Sequence, residues 1–245
     1  ISKFISKSFT IFSLYIVDSI SEENGGGIYI SKANEKMKIS HLTCIKCKSY
    51  GDGGGIYISN NVNDIILNKL YLKSCIAFQS GAGIYLSENI YYFTLSYSFL
   101  VFNQANKYGA GLYLGTDIGY IDSPIQLLNN TFSYNKLIPE LNIAAGSAIY
   151  SGNNNFLEIV SCIFQDNIGA SNGGAIYLNS HNFLKLSNST LLNNHALQYG
   201  GGLIGILSNI IELNHVLISN NYAGYSGGGI AIKGLTSSLI CSGIN

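Results

Sequence analysis

The sequence predicts an all-β chain folded as a right-handed parallel β-helix, a β-solenoid of eight coils of about 27 to 28 residues. A triplet of small residues followed by an aliphatic residue recurs at spacings of 28, 28, 28, 37, 27, 27 and 27 residues. Between the triplets, apolar residues alternate with others, which is the period of a strand with one buried face. About three short strands fit into each period. The triplets begin at Gly25, Gly53, Gly81, Gly109, Gly146, Gly173, Gly200 and Gly227.

A second marker precedes each triplet, and together the markers form a predicted column of turn residues. Seven of the eight lie six residues before their triplet, and Asn135 lies eleven before. Stacked amides hydrogen-bond along a solenoid axis, and Asn tolerates the left-handed conformation, so we expect an asparagine ladder at a turn. The markers are Ser19, Cys47, Cys75, Asn103, Asn135, Asn167, Asn194 and Asn221.

The alternating strands predict which side chains fill the interior. Equivalent positions of successive coils stack about 4.8 Å apart, so each repeat position becomes a column. The glycines of the triplets are expected to turn the backbone tightly with positive φ. One interior column comprises Phe9, Met37, Ile65, Phe93, Ile125, Leu157, Leu184 and Ile211.

The single long spacing, between Gly109 and Gly146, indicates two insertions in an otherwise regular array. One is placed at residues 117–124 and the other at 137–145, both as loops. Such loops on a solenoid serve either as a working face or as plain surface bulges. The whole of 1–245 is interpreted as one β-helix domain, taken from a longer chain.

Composition narrows the class of function. Thirteen basic and thirteen acidic residues give a net charge of zero. A nucleic-acid binder needs a basic face, and attachment to anionic lipids needs basic clusters, so both are disfavoured. Charged residues make up only 11% of the chain, which suits an extracellular or cell-surface protein. No apolar run reaches the roughly 18 residues needed to span a bilayer.

The two repeat markers resemble those of the chlamydial polymorphic membrane proteins, in which Gly-Gly-Ala-aliphatic alternates with Phe-x-x-Asn. The closest copies are Gly173-Gly174-Ala175-Ile176, Phe132-Ser133-Tyr134-Asn135 and Phe164-Gln165-Asp166-Asn167. Similar pectin-lyase-like repeats occur in large protist surface proteins, which the composition also resembles. The resemblance covers nearly the whole chain, although the first three coils carry Ser or Cys in place of Asn. It implies a β-helical passenger used in adhesion or surface coating, without catalytic residues.

Carboxylates are the residues that an enzyme of this fold would need, and they do not cluster here. Glu158 and Glu212 share one column two coils apart, with Lys185 between them. We interpret this Glu–Lys–Glu ladder as stacked cross-strand charge pairing. Accordingly, we predict no catalytic residues, no metal site and no cofactor.

The cysteines offer two readings. Cys47 and Cys75 stack on adjacent coils, at a separation that permits a disulfide. Both could equally be small buried fillers of the asparagine column. Cys44 and Cys47 form a single C-x-x-C motif, without the second pair or histidine that a metal site requires.

Two further columns face outward. A tyrosine follows six of the triplet aliphatics, and the six form a stripe. The stripe either binds a partner or glycan, or reflects only the β-propensity of tyrosine. Two sequons begin at Asn129 and Asn188 and occupy one column, which favours glycosylation in a secreted eukaryotic protein. The stripe comprises Tyr29, Tyr57, Tyr85, Tyr113, Tyr150 and Tyr177.

These observations predict an extracellular, non-catalytic β-helical glycoprotein that acts as a fibre, coat, spacer or adhesin. Its expected partners are further copies of itself, through head-to-tail or lateral assembly, other surface proteins or glycans. The alternative is a polysaccharide lyase or hydrolase, or a glycan-binding module, of the pectin-lyase-like fold.

Overall fold

The computed structural model describes residues 8–31, 36–60, 62, 64–138, 144–234 and 237–243. Within these residues the chain is an all-β parallel solenoid of eight coils, followed by the first strand of a ninth, as the repeat predicts. The 31 strands are β1 (Ser8–Val17), β2 (Ile20–Ser21), β3 (Ile28–Ile30), β4 (Lys36–Ile45), β5 (Lys48–Ser49), β6 (Ile56–Ile58), β7 (Asp64–Asn68), β8 (Tyr71–Lys73), β9 (Ile76–Ala77), β10 (Ile84–Leu86), β11 (Tyr92–Ser96), β12 (Phe99–Val101), β13 (Gln104–Ala105), β14 (Leu112–Leu114), β15 (Ile125–Leu128), β16 (Thr131–Ser133), β17 (Lys136–Leu137), β18 (Ile149–Ser151), β19 (Phe156–Val160), β20 (Ile163–Gln165), β21 (Ile168–Asn172), β22 (Ile176–Leu178), β23 (Phe183–Ser187), β24 (Thr190–Leu192), β25 (His195–Tyr199), β26 (Leu203–Ile206), β27 (Ile210–Asn214), β28 (Leu217–Ser219), β29 (Tyr222–Ala223), β30 (Ile230–Lys233) and β31 (Ser238–Ser242).

The strands belong to three parallel sheets that run the length of the solenoid. One sheet has 15 strands, and two have eight strands each, in the orders β2-β5-β9-β13-β17-β21-β25-β29 and β3-β6-β10-β14-β18-β22-β26-β30. A typical coil contributes four short strands, as β7 to β10 do in coil three. This is one strand more than expected, because a corner at Lys69 and Leu70 separates β7 from β8.

Left-handed residues make the corners of each coil. Lys69, Ser74 and Asn89 have φ values of 53°, 55° and 56°, and each is followed by an inward-pointing residue. The expectation that the marker asparagines themselves are left-handed is therefore wrong. The left-handed position is one residue earlier, for example at Asp166, which frees the backbone of Asn167 to aim its amide inward.

The glycines of the triplets behave as predicted. The first glycine of all eight triplets has positive φ, between 53° and 71°. A Cβ at Gly81 would lie 2.7 Å from the carbonyl oxygen of Ile84 and 2.8 Å from the Cβ of Tyr85. Only glycine escapes both the contact and the unfavourable backbone conformation at this turn.

The interior is packed with columns of aliphatic and aromatic side chains. Met37, Ile65 and Phe93 of the predicted interior column are buried and in register, as are its members in coils five to eight. Phe9 is in register with Met37, but it is 46% exposed and is therefore not buried as the other members are. A smaller cluster under the β9–β13–β17 sheet is formed mainly by alanines.

Extra residues between β14 and β15 form a loop at the first predicted insertion. Ile118 points inward and is buried, whereas Tyr120 and Ser123 exchange two backbone hydrogen bonds around a tight turn. Ile121 at the tip is 75% exposed. Of the second predicted insertion, 137–145, the segment 139–143 lies outside the described residues.

Candidate functional site

The interior of coils four to eight contains a continuous ladder of buried asparagine amides. Along the axis, Nδ2 of each residue donates to Oδ1 of the next. The distances are 3.1 Å from Asn103 to Asn135, 3.0 Å from Asn135 to Asn167, and 2.9 Å for both Asn167 to Asn194 and Asn194 to Asn221. The first four of these side chains are fully buried.

Each internal amide of the ladder uses its whole hydrogen-bonding capacity. Nδ2 of Asn167 also donates to the carbonyl oxygen of Phe132 at 3.0 Å. Oδ1 of Asn167 accepts from both the backbone N–H and Nδ2 of Asn135, at 3.1 and 3.0 Å. Two donated and two accepted bonds are the full complement of a primary amide. Burial therefore leaves no unsatisfied group in a ladder rung.

A second asparagine ladder lies at another corner, and the sequence reasoning missed it. Oδ1 of Asn182 accepts from the backbone N–H of Asn155 at 3.1 Å, and Oδ1 of Asn209 accepts from that of Asn182 at 2.8 Å. The same position is occupied by buried Ile90 and Ile118 in earlier coils. The spacing of 27 residues between these asparagines was the available signal.

The cysteines replace the asparagine ladder in coils two and three. Cys44 and Cys47 form a disulfide within one coil, across the corner at Lys46, and Cys75 is a buried free thiol. The predicted pairing of Cys47 with Cys75 is therefore not formed. Cys44 reaches Cys47 because both side chains point into the interior, whereas the Cys75 thiol donates to the carbonyl oxygen of Cys44 at 3.6 Å.

The three sulfur atoms of Cys44, Cys47 and Cys75 lie within 4.8 Å of one another, which is close enough for a shared metal ion. Their surroundings disfavour the thiolates that a metal requires. Burial raises the pKa of the Cys75 thiol to about 12. The carbonyl oxygens of Cys44 and Lys73 face its sulfur and would repel a negative charge. The arrangement fits a structural cross-link with a buried thiol beside it.

The six tyrosines of the stripe form a stacked column on the outside of the coil. Successive ring centroids are 5.2, 5.0, 4.4, 5.2 and 5.2 Å apart, with planes within 8° of parallel. The faces of the internal rings are consequently covered by their neighbours. Tyr29, at one end, is 55% exposed. A sugar stacking on an open ring face has no room within the column.

Burial changes the acidity of these phenols. Desolvation raises the pKa of Tyr57, Tyr85, Tyr113, Tyr150 and Tyr177 above the ordinary value of 10.0. The carboxylate of Asp52 raises the pKa of the first three further. Ionised tyrosines would repel one another at these ring spacings.

Glu158, Lys185 and Glu212 stack in register on β19, β23 and β27. Nζ of Lys185 lies 3.9 Å from Oε1 of Glu158. The three side chains form the floor of a groove of about 420 Å³, whose apolar wall includes Ile121 and Pro124 of the insertion loop. The groove is open and shallow, and a lysine separates its two carboxylates.

Both sequon asparagines lie at a corner and are exposed. Asn129 and Asn188 occupy left-handed positions, with φ of 55° and 48°, in the column that also contains Lys69 and Tyr97. Their neighbours Asn130 and Ser189 point inward and are buried. The two amides are thus accessible for attachment of a glycan.

An aromatic and basic surface on coils two to four was also missed. Its six defining residues flank or face outward from the strands β4, β8 and β12. We call this surface the aromatic–lysine face. The signal was available in the sequence, because these positions stand at fixed offsets before the marker residues. They are Lys46, Lys69, Lys73, Tyr97, Phe99 and Phe102.

Comparison with known proteins gives one result. The family model of the Chlamydia polymorphic membrane protein repeat matches residues 161–179, which contain one copy of each marker, Phe164–Asn167 and Gly173–Ile176. No curated protein and no solved structure matches the chain. The fold and the match together describe a β-helical repeat protein similar to that family. Within the described residues, no helix has the length and apolarity to cross a membrane.

The adjacent pair Asn193 and Asn194 tests the ladder. Replacing Asn194 with Ala removes the partners of the Asn167 amide, the Phe164 carbonyl and Oδ1 of Asn221. We expect Asn194→Ala to lower the free energy of unfolding in urea by about 3 kcal/mol or more. The control Asn193→Ala alters an exposed left-handed residue and should cost about 1 kcal/mol. Equal losses would contradict the ladder's role.

The tyrosine column predicts alkaline destabilisation. Because the folded pKa values are raised, the column's contribution to stability is complete below pH 10 and is lost as the pH rises towards the folded values. The urea midpoint should therefore fall as the pH rises from about pH 10 to about pH 12. Combined Tyr85→Phe, Tyr113→Phe and Tyr150→Phe should flatten this fall, whereas the control Tyr225→Phe, at a ring 70% exposed, should not. An unchanged slope in the triple variant would refute the assignment.

Proposed function

We propose that this chain is a surface-exposed, non-catalytic module that acts in adhesion or as a structural spacer, coat or fibre component. The observation that carries the proposal is the match of one coil to a repeat of a membrane-protein family. All eight coils share the geometry of that coil, with the marker position inward and the triplet glycine at positive φ. The function of one repeat can therefore extend to the array.

The distribution of polar groups supports a role without chemistry. The side-chain amides of the interior asparagines, such as Asn167, form hydrogen bonds to neighbouring coils. Their donors and acceptors are therefore unavailable to a substrate. The internal tyrosines of the stripe stack on one another through their ring faces. What the solenoid offers to the outside is a long, rigid and weakly charged surface.

Glycosylation of this surface is part of the proposal. Asn129 and Asn188 share one exposed corner column, so glycans attached there would project from the same side of the solenoid. Because the column's neighbours Asn130 and Ser189 point inward, a glycan would displace no core contact.

Self-assembly, head-to-tail or lateral, is the third part. The strand β1 pairs only with β4, and β31 pairs only with β27, so each has one free edge among the described strands. Several apolar side chains on β1 are exposed, including Phe12 and Tyr15. A strand edge of this kind accepts another parallel strand, from further coils or from a second copy.

Surface labelling of the cells that make the protein tests the proposal. An antibody against the folded chain should label intact, unpermeabilised cells, and peptides containing Asn129 or Asn188 should carry glycan mass. Peptides with the exposed, non-sequon residues Asn193 and Asn220 serve as the control and should be unmodified. Labelling only after permeabilisation would refute a surface role, and bare sequons would remove glycosylation alone.

The groove beside the insertion loop favours a second candidate, a polysaccharide lyase or hydrolase or a glycan-binding module of the pectin-lyase-like fold. Its carboxylates fit poorly for hydrolysis. Glu158 and Glu212 are two coils apart, or about 10 Å along the axis, whereas catalytic carboxylate pairs lie about 5 to 9.5 Å apart. Lys185 also stands between them and pairs with Glu158. Cleavage of a polysaccharide that depends on both glutamates would favour this candidate.

A further inference from the structure

We propose that the aromatic–lysine face binds an anionic polysaccharide, one that carries carboxylate or sulfate groups. This ligand class rests on the proposed surface function, which would bring the chain into contact with such polymers. The face lies apart from both the tyrosine stripe and the groove over Glu158 and Glu212, since it covers the outer side of β8 and β12.

The three aromatic residues of this face are exposed. Tyr97, Phe99 and Phe102 expose 57%, 50% and 50% of their surface. Unlike the stripe, they do not form one closed stack. Phe99 meets Tyr71 edge-on, at 6.4 Å and 67°, so these two rings do not stack face to face. Phe102 stacks on Tyr134 at 4.8 Å, and Nζ of Lys73 lies over the Phe102 ring, 5.9 Å from its centroid. Clustered, exposed aromatic side chains mark a binding surface rather than a core.

The lysines give the face its charge. Lys46 and Lys73 lie on adjacent coils, with the backbone N–H of Lys46 donating to the carbonyl oxygen of Lys73 at 2.9 Å. Lys69 stands at the preceding corner of the coil that contains Lys73. Among the described residues, no carboxylate lies within salt-bridge distance of these three ammonium groups, because the two ion pairs are Lys36–Asp64 and Lys185–Glu158.

Acidic residues border the face but do not enter it. In the four columns that build the face, no Asp or Glu occurs on coils two to five. Asp18 stacks one coil before Lys46, and Asp166 one coil after Tyr134. The Asp166 carboxylate is engaged by Nε2 of Gln165 at 2.8 Å. The positive region thus spans coils two and three, and the exposed aromatic rings of coil four lie beside it.

Charge and shape together select the ligand. Lys46 and Lys73 lie on adjacent coils in neighbouring columns, so together they can pair with anionic groups that recur along one polysaccharide chain. Exposed aromatic rings beside them contact the apolar faces of pyranose rings while the lysines pair with the anions. Nucleic acid requires a far larger basic surface than three lysines on a chain of zero net charge.

Binding of the purified chain to immobilised heparin and polygalacturonate, with dextran as the neutral probe, tests the proposal. We expect both anionic polymers to retain the chain at low salt and dextran not to. Combined Lys46→Gln, Lys69→Gln and Lys73→Gln should weaken binding at least about tenfold. The control Lys38→Gln, Lys107→Gln and Lys233→Gln removes the same charge elsewhere and should change it less than about twofold.

The aromatic part has its own variant. Tyr97→Ser and Phe99→Thr introduce residue types that later coils carry at these positions, Ser161 and Thr131, so the coil should still fold. Their combination should weaken binding by about tenfold without changing the charge. If a variant unfolds, acetylation of the wild-type chain replaces it, because bound heparin should protect Lys46, Lys69 and Lys73 but not Lys107.

Three outcomes would overturn the inference. Equal losses of affinity in the two triple lysine variants would show that binding depends only on net charge. Retention on dextran would show that anionic groups are not required. Tighter binding of a single-stranded oligonucleotide than of either polysaccharide would assign the face to nucleic acid. Each leaves the surface-labelling result untouched, so failure of this ligand class is distinguishable from failure of the proposed function.

Discussion

In-register stacking of equivalent positions, one coil upon the next, is the constraint on which the rest of the structure depends. Parallel strands in three sheets fix that register by backbone hydrogen bonds. Every side chain then meets the side chain of the same repeat position about 4.8 Å away. A column is stable only if its residue type is compatible with itself. Aliphatic groups, amides whose donors match their acceptors, and flat aromatic rings all meet this condition.

The asparagine ladder is the strictest case of that condition. An amide buried alone is costly, yet Asn135, Asn167 and Asn194 each donate two hydrogen bonds and accept two. One bond of each kind joins the amide to that of a neighbouring ladder asparagine. Where the column changes to Cys75 and Cys47, the amide chain stops, and a disulfide with a buried thiol fills the interior instead. The same principle leaves the outer columns free to vary. The tyrosine stripe, the sequon column and the aromatic–lysine face are therefore where function is to be sought.

Sequence periodicity predicted the coil number, the register and the positive φ of the glycines, since each depends on the spacing of one residue type. It did not predict which residue turns each corner. Left-handed positions are filled by residues as different as Lys69, Phe102 and Asp166, because their side chains point to solvent and only the backbone is constrained. The disulfide partner of Cys47 was also missed, because stacking distance alone does not say that Cys44 points to the same side.

Candidate sites were harder to predict than the fold, for a physical reason. A solenoid brings together residues 27 or more positions apart, so a surface is visible only when every column is aligned. The aromatic–lysine face needs four columns and three coils at once, whereas the stripe of Tyr85, Tyr113 and Tyr150 needs only one. The edge-on contact of Phe99 with Tyr71, and the stacked rings of the stripe, depend on ring orientations that no spacing reveals.

Residue-resolved hydrogen exchange of the native chain tests the central claim most directly. The backbone N–H groups of Cys75, Asn103, Asn135, Asn167 and Asn194 each donate to the Oδ1 atom of the next ladder asparagine. If the ladder unites the coils, these five amides exchange together, at the rate set by global unfolding. Exchange of these amides as rapid as that of the exposed loop residue Ile121 would contradict the account.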